Sequence, residues 1–212
     1  MNYTAFINTT NSSHYKNQPL SKKLEEISHQ IAQNYCVLRE DILVDWSNKY
    51  TISNYKRGTH LIELGQRQHK LYFVLEGSLK AYYLNDGKRI MDWFAFKNEF
   101  ITSSTSYFTD EPSLHDIETM EDCILLETNK EYVEMLCSKH HDFEHLFRIV
   151  LSKVIVQYRH RMFSLQFKTV KQRYQSLIQQ YPKIEFTVPL GDIASFLGIT
   201  QETLSRIRAL KE

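Results

Sequence analysis

Among its 212 residues the chain has only six glycines, four prolines and three cysteines. Cys36, Cys123 and Cys137 are odd in number and far apart, which suits reduced thiols better than a disulfide framework or a zinc site. No apolar run approaches the roughly 18 residues that a membrane span requires. The opening stretch MNYTAFINTTNSSHYKNQ also lacks the charged-then-apolar order of a secretory signal. The expected location is therefore the cytoplasm, with no membrane partner. Hydrophobic content of 42% and aromatic content of 13% fit a globular protein of one or two domains.

Net charge is only +1, but it is unevenly spread. Residues 1–147 carry 15 Lys+Arg against 21 Asp+Glu, and residues 148–212 carry 11 against 4. A basic C-terminal third on an acidic body is the footprint of a nucleic-acid-reading module attached to a domain that does not read nucleic acid. Chance asymmetry is the plainer alternative.

The stretch LGDIASFLGITQETLSRIRA, residues 190–209, bears on that choice. Ile193 and Leu197 are four apart and Leu204 and Ile207 three apart, so two short helices can bury one apolar stripe each against the other. Ala194 is small at the crossing, and Gly198 stands where the chain turns with positive φ. Thr200 is a natural cap for the second helix, and Pro189 suits the first turn of the first helix. Gln201, Glu202, Ser205 and Arg206 then point outward from the N-terminal half of the second helix, the half that enters a major groove in a helix-turn-helix. Arg206 can donate twice to guanine, and Glu202 can accept from cytosine N4. The alternative is an ordinary helical hairpin in which Glu202 and Arg206 form a solvated ion pair.

Residues 1–20 are polar and aperiodic and read as a tail. Leu24, Ile27, Ile31 and Leu38 keep helical spacing after a Ser21 cap, and a short helix follows around Asp41–Ser47. From Tyr50 to about Thr128, short β-rich runs alternate with turn signals at Lys56-Arg57-Gly58, Gly65, Gly77 and Asn85-Asp86-Gly87, the pattern of a small sandwich or barrel. Asp86-Gly87 is a tight-hairpin signal. From about Lys130 to Phe167 the periodicity is helical. Phe147, Leu151, Val154, Tyr158 and Leu165 form one stripe and Ile149, Val156 and Phe163 another, so this helix needs two partners. Burial within a single chain fits these stripes as well as a partner outside it does. Thr169-x-x-Gln172 is a capping box opening a further helix with Val170, Tyr174, Leu177 and Tyr181 on one side and Pro182 at its end. The hinge between domains is expected just before Thr169.

The stretch RGTHLIELGQRQHKLYFVLEGSLKAYYLNDGKRI resembles the cyclic-nucleotide-binding β-roll of the CRP/FNR superfamily of bacterial regulators. Arg57-Gly58, Gly65, the Leu71–Leu75 strand running into Glu76-Gly77-Ser78-Leu79, and the Asp86-Gly87 turn fall in that family's order and spacing. With the helix-turn-helix, the resemblance covers roughly Asp41 to the end. It implies an α+β chain: a flexible tail (residues 1–20), a jelly-roll-like sensor β-roll with flanking helices (21–129), a long dimerisation helix region (130–168), and a small helix-turn-helix domain (169–212). It further implies a homodimeric, DNA-binding transcription regulator, with RNA polymerase and a small-molecule effector as further partners. Glu202-x-x-Ser205-Arg206 is similar to the recognition helix of the FNR branch, which reads a TTGA-like half-site. Only three residues follow Ala209, so most of the β-hairpin wing that follows this helix in the family is expected to be missing.

Members that bind cyclic AMP hold its ribose with a Gly-Glu pair and its phosphate with an Arg-Ser pair. Here the region reads Asn98-Glu99-Phe100-Ile101-Thr102-Ser103-Ser104-Thr105-Ser106. The arginine position falls near Ser113-Leu114, Glu99 comes a turn early, and no arginine lies between Arg89 and Arg148. A buried phosphate needs such partners, so no response to cyclic AMP is expected. Thr102, Ser103 and Ser104, with Tyr158 on the long helix, are the candidate lining of a pocket for another effector. An ordinary exposed loop is the other reading. Cys36 stands alone where the oxygen-sensing branch carries a cysteine cluster, so no iron–sulfur centre is expected, and the scattered histidines argue for no haem. No other cofactor, metal or enzymatic activity is expected. A cupin-type metal enzyme would need converging histidines, and His60 and His69 are too far apart. A module of the same fold that has lost specific DNA binding is the alternative function.

Overall fold

The computed structural model describes residues 19–209. The chain forms two compact units that divide between Tyr50 and Thr51. In the first, helix α1 (Leu20–Tyr35) packs on α2 (Glu40–Ser47). Pro19, not Ser21, occupies the N-cap of α1, and Ser21 falls inside the helix, whose first turn takes the Pro19 carbonyl as acceptor from Lys23 N at 3.2 Å. Ile27, Ile31 and Leu38 are buried as their spacing predicts. The side chain of Leu24 and the expected tail lie outside the described residues, apart from Pro19 and the helical Leu20.

The second unit opens with the β-roll. Strands β1 (Thr51–Tyr55), β2 (His60–Ile62), β3 (Lys70–Glu76), β4 (Leu79–Asn85), β5 (Lys88–Ala95), β6 (Phe100–Ile101), β7 (Asp116–Thr119) and β8 (Cys123–Asn129) form two four-stranded sheets. The first has the order β1-β8-β3-β6 and the second β2-β7-β4-β5, and every pairing is antiparallel. Leu61, Ile62, Tyr72, Val74, Leu79, Ala81, Ala95, Ile117 and Leu125 fill the space between the sheets. The two-residue turn between β4 and β5 is Asp86-Gly87, both at positive φ, as a tight hairpin with right-handed strand twist requires.

Among the described residues, five helices and a short turn of helix follow. The expected helical stretch from Lys130 is broken: α3 (Lys130–Lys139) ends at His140, whose backbone is extended, and α4 (His141–Phe167) starts afresh. Neither glycine nor proline marks that break. The buried side of α4 is Phe143, Leu146 and Val150, while the stripe from Phe147 to Leu165 is only partly covered. Next come α5 (Val170–Gln180), α6 (Ile184–Thr187), α7 (Leu190–Phe196) and α8 (Gln201–Ala209). The capping box at α5 forms as expected: Thr169 Oγ1 accepts from Gln172 N, and Gln172 Oε1 accepts from Thr169 N. The β-roll, α4 and the C-terminal helices belong to one compact unit.

Gly77, between β3 and β4, is a point of close approach. Its φ is +89°, and a Cβ there would lie 2.6 Å from Cys123 Sγ and 2.8 Å from Asp122 O. Backbone strain and overpacking act together in Gly77→Ala, which should cost about 2–4 kcal/mol of stability. Urea unfolding monitored by tryptophan fluorescence measures it; a loss under 1 kcal/mol contradicts the packing described.

Candidate nucleic-acid interface

The helices α7 and α8 are joined by a turn in which Gly198 has φ +69°. Ile193, Ala194, Leu197 and Leu204 are buried between them, and Ile207 is partly so. Pro189 lies at the N-cap of α7, one position before its first helical residue. Thr200 caps α8 by accepting from Thr203 N at 3.2 Å. Gln201, Glu202, Ser205 and Arg206 are all exposed, on the side of α8 opposite Leu204. Arg206 is ion-paired with Glu202 one turn earlier. Arg208 turns the other way, pairing with Glu185 at 2.8 Å, so it fastens α8 to α6.

The first of the two helices is anchored on β5. Ser195 Oγ accepts from Met91 N at 3.0 Å and donates to Arg89 O at 3.2 Å, meeting backbone groups of the strand with one hydroxyl. Lys80 on β4, largely buried, lies 3.3 Å from Asp192 and 3.7 Å from Glu118. Two carboxylates thus offset the desolvation of one ammonium. Arg161 of α4 donates to Met91 O and to Phe196 O at 3.1 and 3.2 Å, with its guanidinium 3.8 Å from the Phe196 ring centroid. One cation therefore touches β5, α4 and α7. Burial lowers its pKa, and the nearby Asp92 carboxylate opposes that shift.

None of these anchors was identified in the sequence. Only Arg161 left a trace there, as a cation interrupting the apolar spacing of Val154, Tyr158 and Leu165. Asp192 and Ser195 read as ordinary polar positions, since their partners lie more than a hundred residues away.

The hydroxyl-rich segment is largely occupied with itself. Thr102 Oγ1 donates to Lys70 O at 2.8 Å, and the fully buried Ser103 donates to Ser113 Oγ at 2.8 Å. Ser113 donates onward to His115 O, and Ser106 Oγ accepts from Gln68 N. Ser104 is exposed, at the start of a single π-helical turn, Thr105–Thr109. Tyr158 is engaged elsewhere: its ring stacks on Trp93 with centroids 4.9 Å apart, and burial, with the Asp92 carboxylate nearby, pushes its hydroxyl pKa up. Thr102, Ser103 and Tyr158 thus each take a separate partner, and Ser104 is exposed. Among the described residues no group of three His, Cys, Asp or Glu side chains is arranged to hold a metal ion.

Residues 52–140 match the family model of the cyclic nucleotide-binding domain. The chain superposes on FixK2 from Bradyrhizobium japonicum with a TM-score of 0.65 at 18% identity, covering 76% of this chain and 83% of that one. On CLP of Xanthomonas campestris, described as a c-di-GMP responsive global regulator, the values are 0.62 and 18%, with 82% and 92% covered. The sensor domain of the transcriptional regulator DNR from Pseudomonas aeruginosa gives 0.53 and 13%, with 69% and 99% covered. No curated protein sequence matches the chain. The β-roll is accordingly similar to a cyclic nucleotide-binding domain. With α4 and the C-terminal helices following it in this order, the chain shares its fold with FixK2 and CLP.

A further link, from α5 to the β-roll, is sensitive to pH. Glu99 accepts from Phe96 N at 3.0 Å and from the Tyr181 hydroxyl at 3.1 Å. Burial nevertheless raises its pKa above the usual 4.5, these two donors pulling the other way. The folded value exceeds the unfolded one. The stabilisation from protonated Glu99 is therefore complete below pH 4.5 and lost as pH rises through the folded value. Glu99→Gln should remove this slope, so that the variant gains on wild type as pH rises above 4.5. Parallel urea titrations across that range test it, and identical slopes for the two proteins would refute it.

Proposed function

We propose that the protein is a homodimeric, sequence-specific DNA-binding transcription regulator of the CRP/FNR type that does not answer to cyclic AMP. The observation that carries this reading is the exposed face of α8. Gln201, Glu202, Ser205 and Arg206 stand clear of the protein, while Leu204 behind them is buried and Arg208 is committed to Glu185. The helix is held from behind and open in front, as groove entry demands. The basic balance of residues 148–212 supplies the long-range attraction to phosphate. In the free protein the Glu202–Arg206 pair keeps both side chains on this face. On DNA the arginine would exchange the carboxylate for guanine O6 and N7, and Glu202 would take the N4 proton donor of the paired cytosine.

Against cyclic AMP stands the occupation of its expected site. Ser113, near the position the family gives to its phosphate-holding arginine, accepts from Ser103, and no arginine lies between Arg89 and Arg148. Supporting dimerisation, α4 exposes Ile155, Val156, Met162, Phe163 and Phe167, the last 70% accessible. Among the described residues nothing covers this apolar strip, and a second copy of the same helix would bury it.

Two half-sites one helical turn apart, centre to centre about 34–36 Å, should be selected from random duplexes, each holding a G·C pair in a TTGA-like context. Arg206→Ala should lose about 1–3 kcal/mol per half-site and relax preference at that guanine, whereas cyclic AMP should leave wild-type affinity unchanged. Fluorescence anisotropy across base-substituted duplexes checks both, and undiminished discrimination by Arg206→Ala would overturn the assignment. Failure of wild type to select any duplex would favour a module of this fold without specific DNA binding.

Replacing Val156 and Phe163 together with Glu should give a monomer that binds the duplex poorly. Light scattering on the double variant is decisive: a protein that remains dimeric places the interface elsewhere.

A further inference from the structure

A cavity of about 470 Å³ lies among β5, the C-terminal half of α4, α5 and α7. Its volume is in the range of small-molecule sites. The wall is mainly aromatic and aliphatic, with Trp93 and Phe196 among its rings, and carries His160, Arg161, Lys168 and Arg173. It holds no aspartate or glutamate. Four basic side chains converge here without an acidic counterpart in the wall.

Their hydrogen bonds are incompletely met by the protein. Arg173 Nη1 donates to Leu165 O at 3.1 Å, but its Nε is fully buried and has no hydrogen-bond partner. Lys168 has three donors, and one goes to Ser176 Oγ at 2.8 Å. Buried donors in native proteins are almost always paired, and a small turn of the Arg173 side chain would give its unmet N–H to an acceptor placed in the cavity. The acceptor that suits a cationic, carboxylate-free wall is an anion.

We propose that this cavity is a binding site for a small organic anion, in which a carboxylate, sulfonate or phosphate group sits against Lys168 and Arg173 and a flat apolar body lies against the aromatic wall. The site is distinct from the Thr102–Ser104 segment and does not depend on the chain reading DNA. Its occupant would touch β5, α4, α5 and α7 at once, linking the β-roll to the helices that carry α8.

The test uses the full chain and 8-anilinonaphthalene-1-sulfonate as probe, with uncharged N-phenyl-1-naphthylamine as the matched control lacking the sulfonate. Fluorescence titration should show saturable binding of the sulfonate at one site per chain, with the neutral analogue about tenfold weaker or worse. Lys168→Gln and Arg173→Gln should each weaken the sulfonate about tenfold and leave the neutral analogue unchanged. Circular dichroism establishes that each variant is folded. Should Arg173→Gln unfold because it loses its bond to Leu165 O, Lys168→Gln decides alone. Equal affinity for the two probes, or a folded Lys168→Gln that binds the sulfonate as wild type does, overturns the proposal.

Discussion

The second unit depends on an apolar core that does not respect the boundary between the β-roll and the C-terminal helices. Tyr82, Met91, Phe94 and Met120 of the roll share one buried cluster with Tyr174, Leu177, Ile184, Val188, Ile193, Leu197 and Leu204. Non-directional burial of this kind holds surfaces together but leaves them free to slide. Direction comes from the polar contacts at its edge. Ser195 pairs with the backbone of β5, Lys80 with Asp192, and Arg161 with two carbonyls on opposite sides. Each requires a particular register of α7 along the strand.

The same arrangement explains how α8 is presented. Its buried side belongs to the shared cluster through Leu204, its C-terminal half is fastened through Arg208 to Glu185, and Glu185 in turn accepts from the Tyr174 hydroxyl. Orientation of the exposed face of α8 is thus set by α5, α6 and α7 together. α8 is thus joined to α7 through the buried cluster and to α5 and α6 through the partly exposed Arg208–Glu185–Tyr174 chain.

Local features were legible in the sequence. The Asp86-Gly87 hairpin, the Thr169–Gln172 capping box, Gly198 and the Thr200 cap are each written within a few residues, because turns and caps are satisfied by near neighbours. The outward set on α8 followed from period alone. What depends on distant partners was not readable. Lys80 and Asp192 are 112 positions apart, and neither carries a mark of the other. The break at His140 lacks a helix breaker, and the buried side of α4 lies on Phe143, Leu146 and Val150, which the spacing of its other apolar residues concealed. The serines and threonines near residue 103 illustrate a different limit. Composition displays hydroxyls, but whether they face a ligand or one another is settled only by the turn that places Ser103 against Ser113.

Cys123 sits beneath Gly77, with its thiol buried and pushed up to about 11. Thiolate is the form that reacts, so alkylation in the native state is suppressed by both access and acidity. Labelling at this position must await an excursion that parts the β3–β4 connection from β8. A single sulfur is therefore a built-in clock for partial opening of the roll, and its modification rate would report the free energy of that opening without unfolding the rest of the chain.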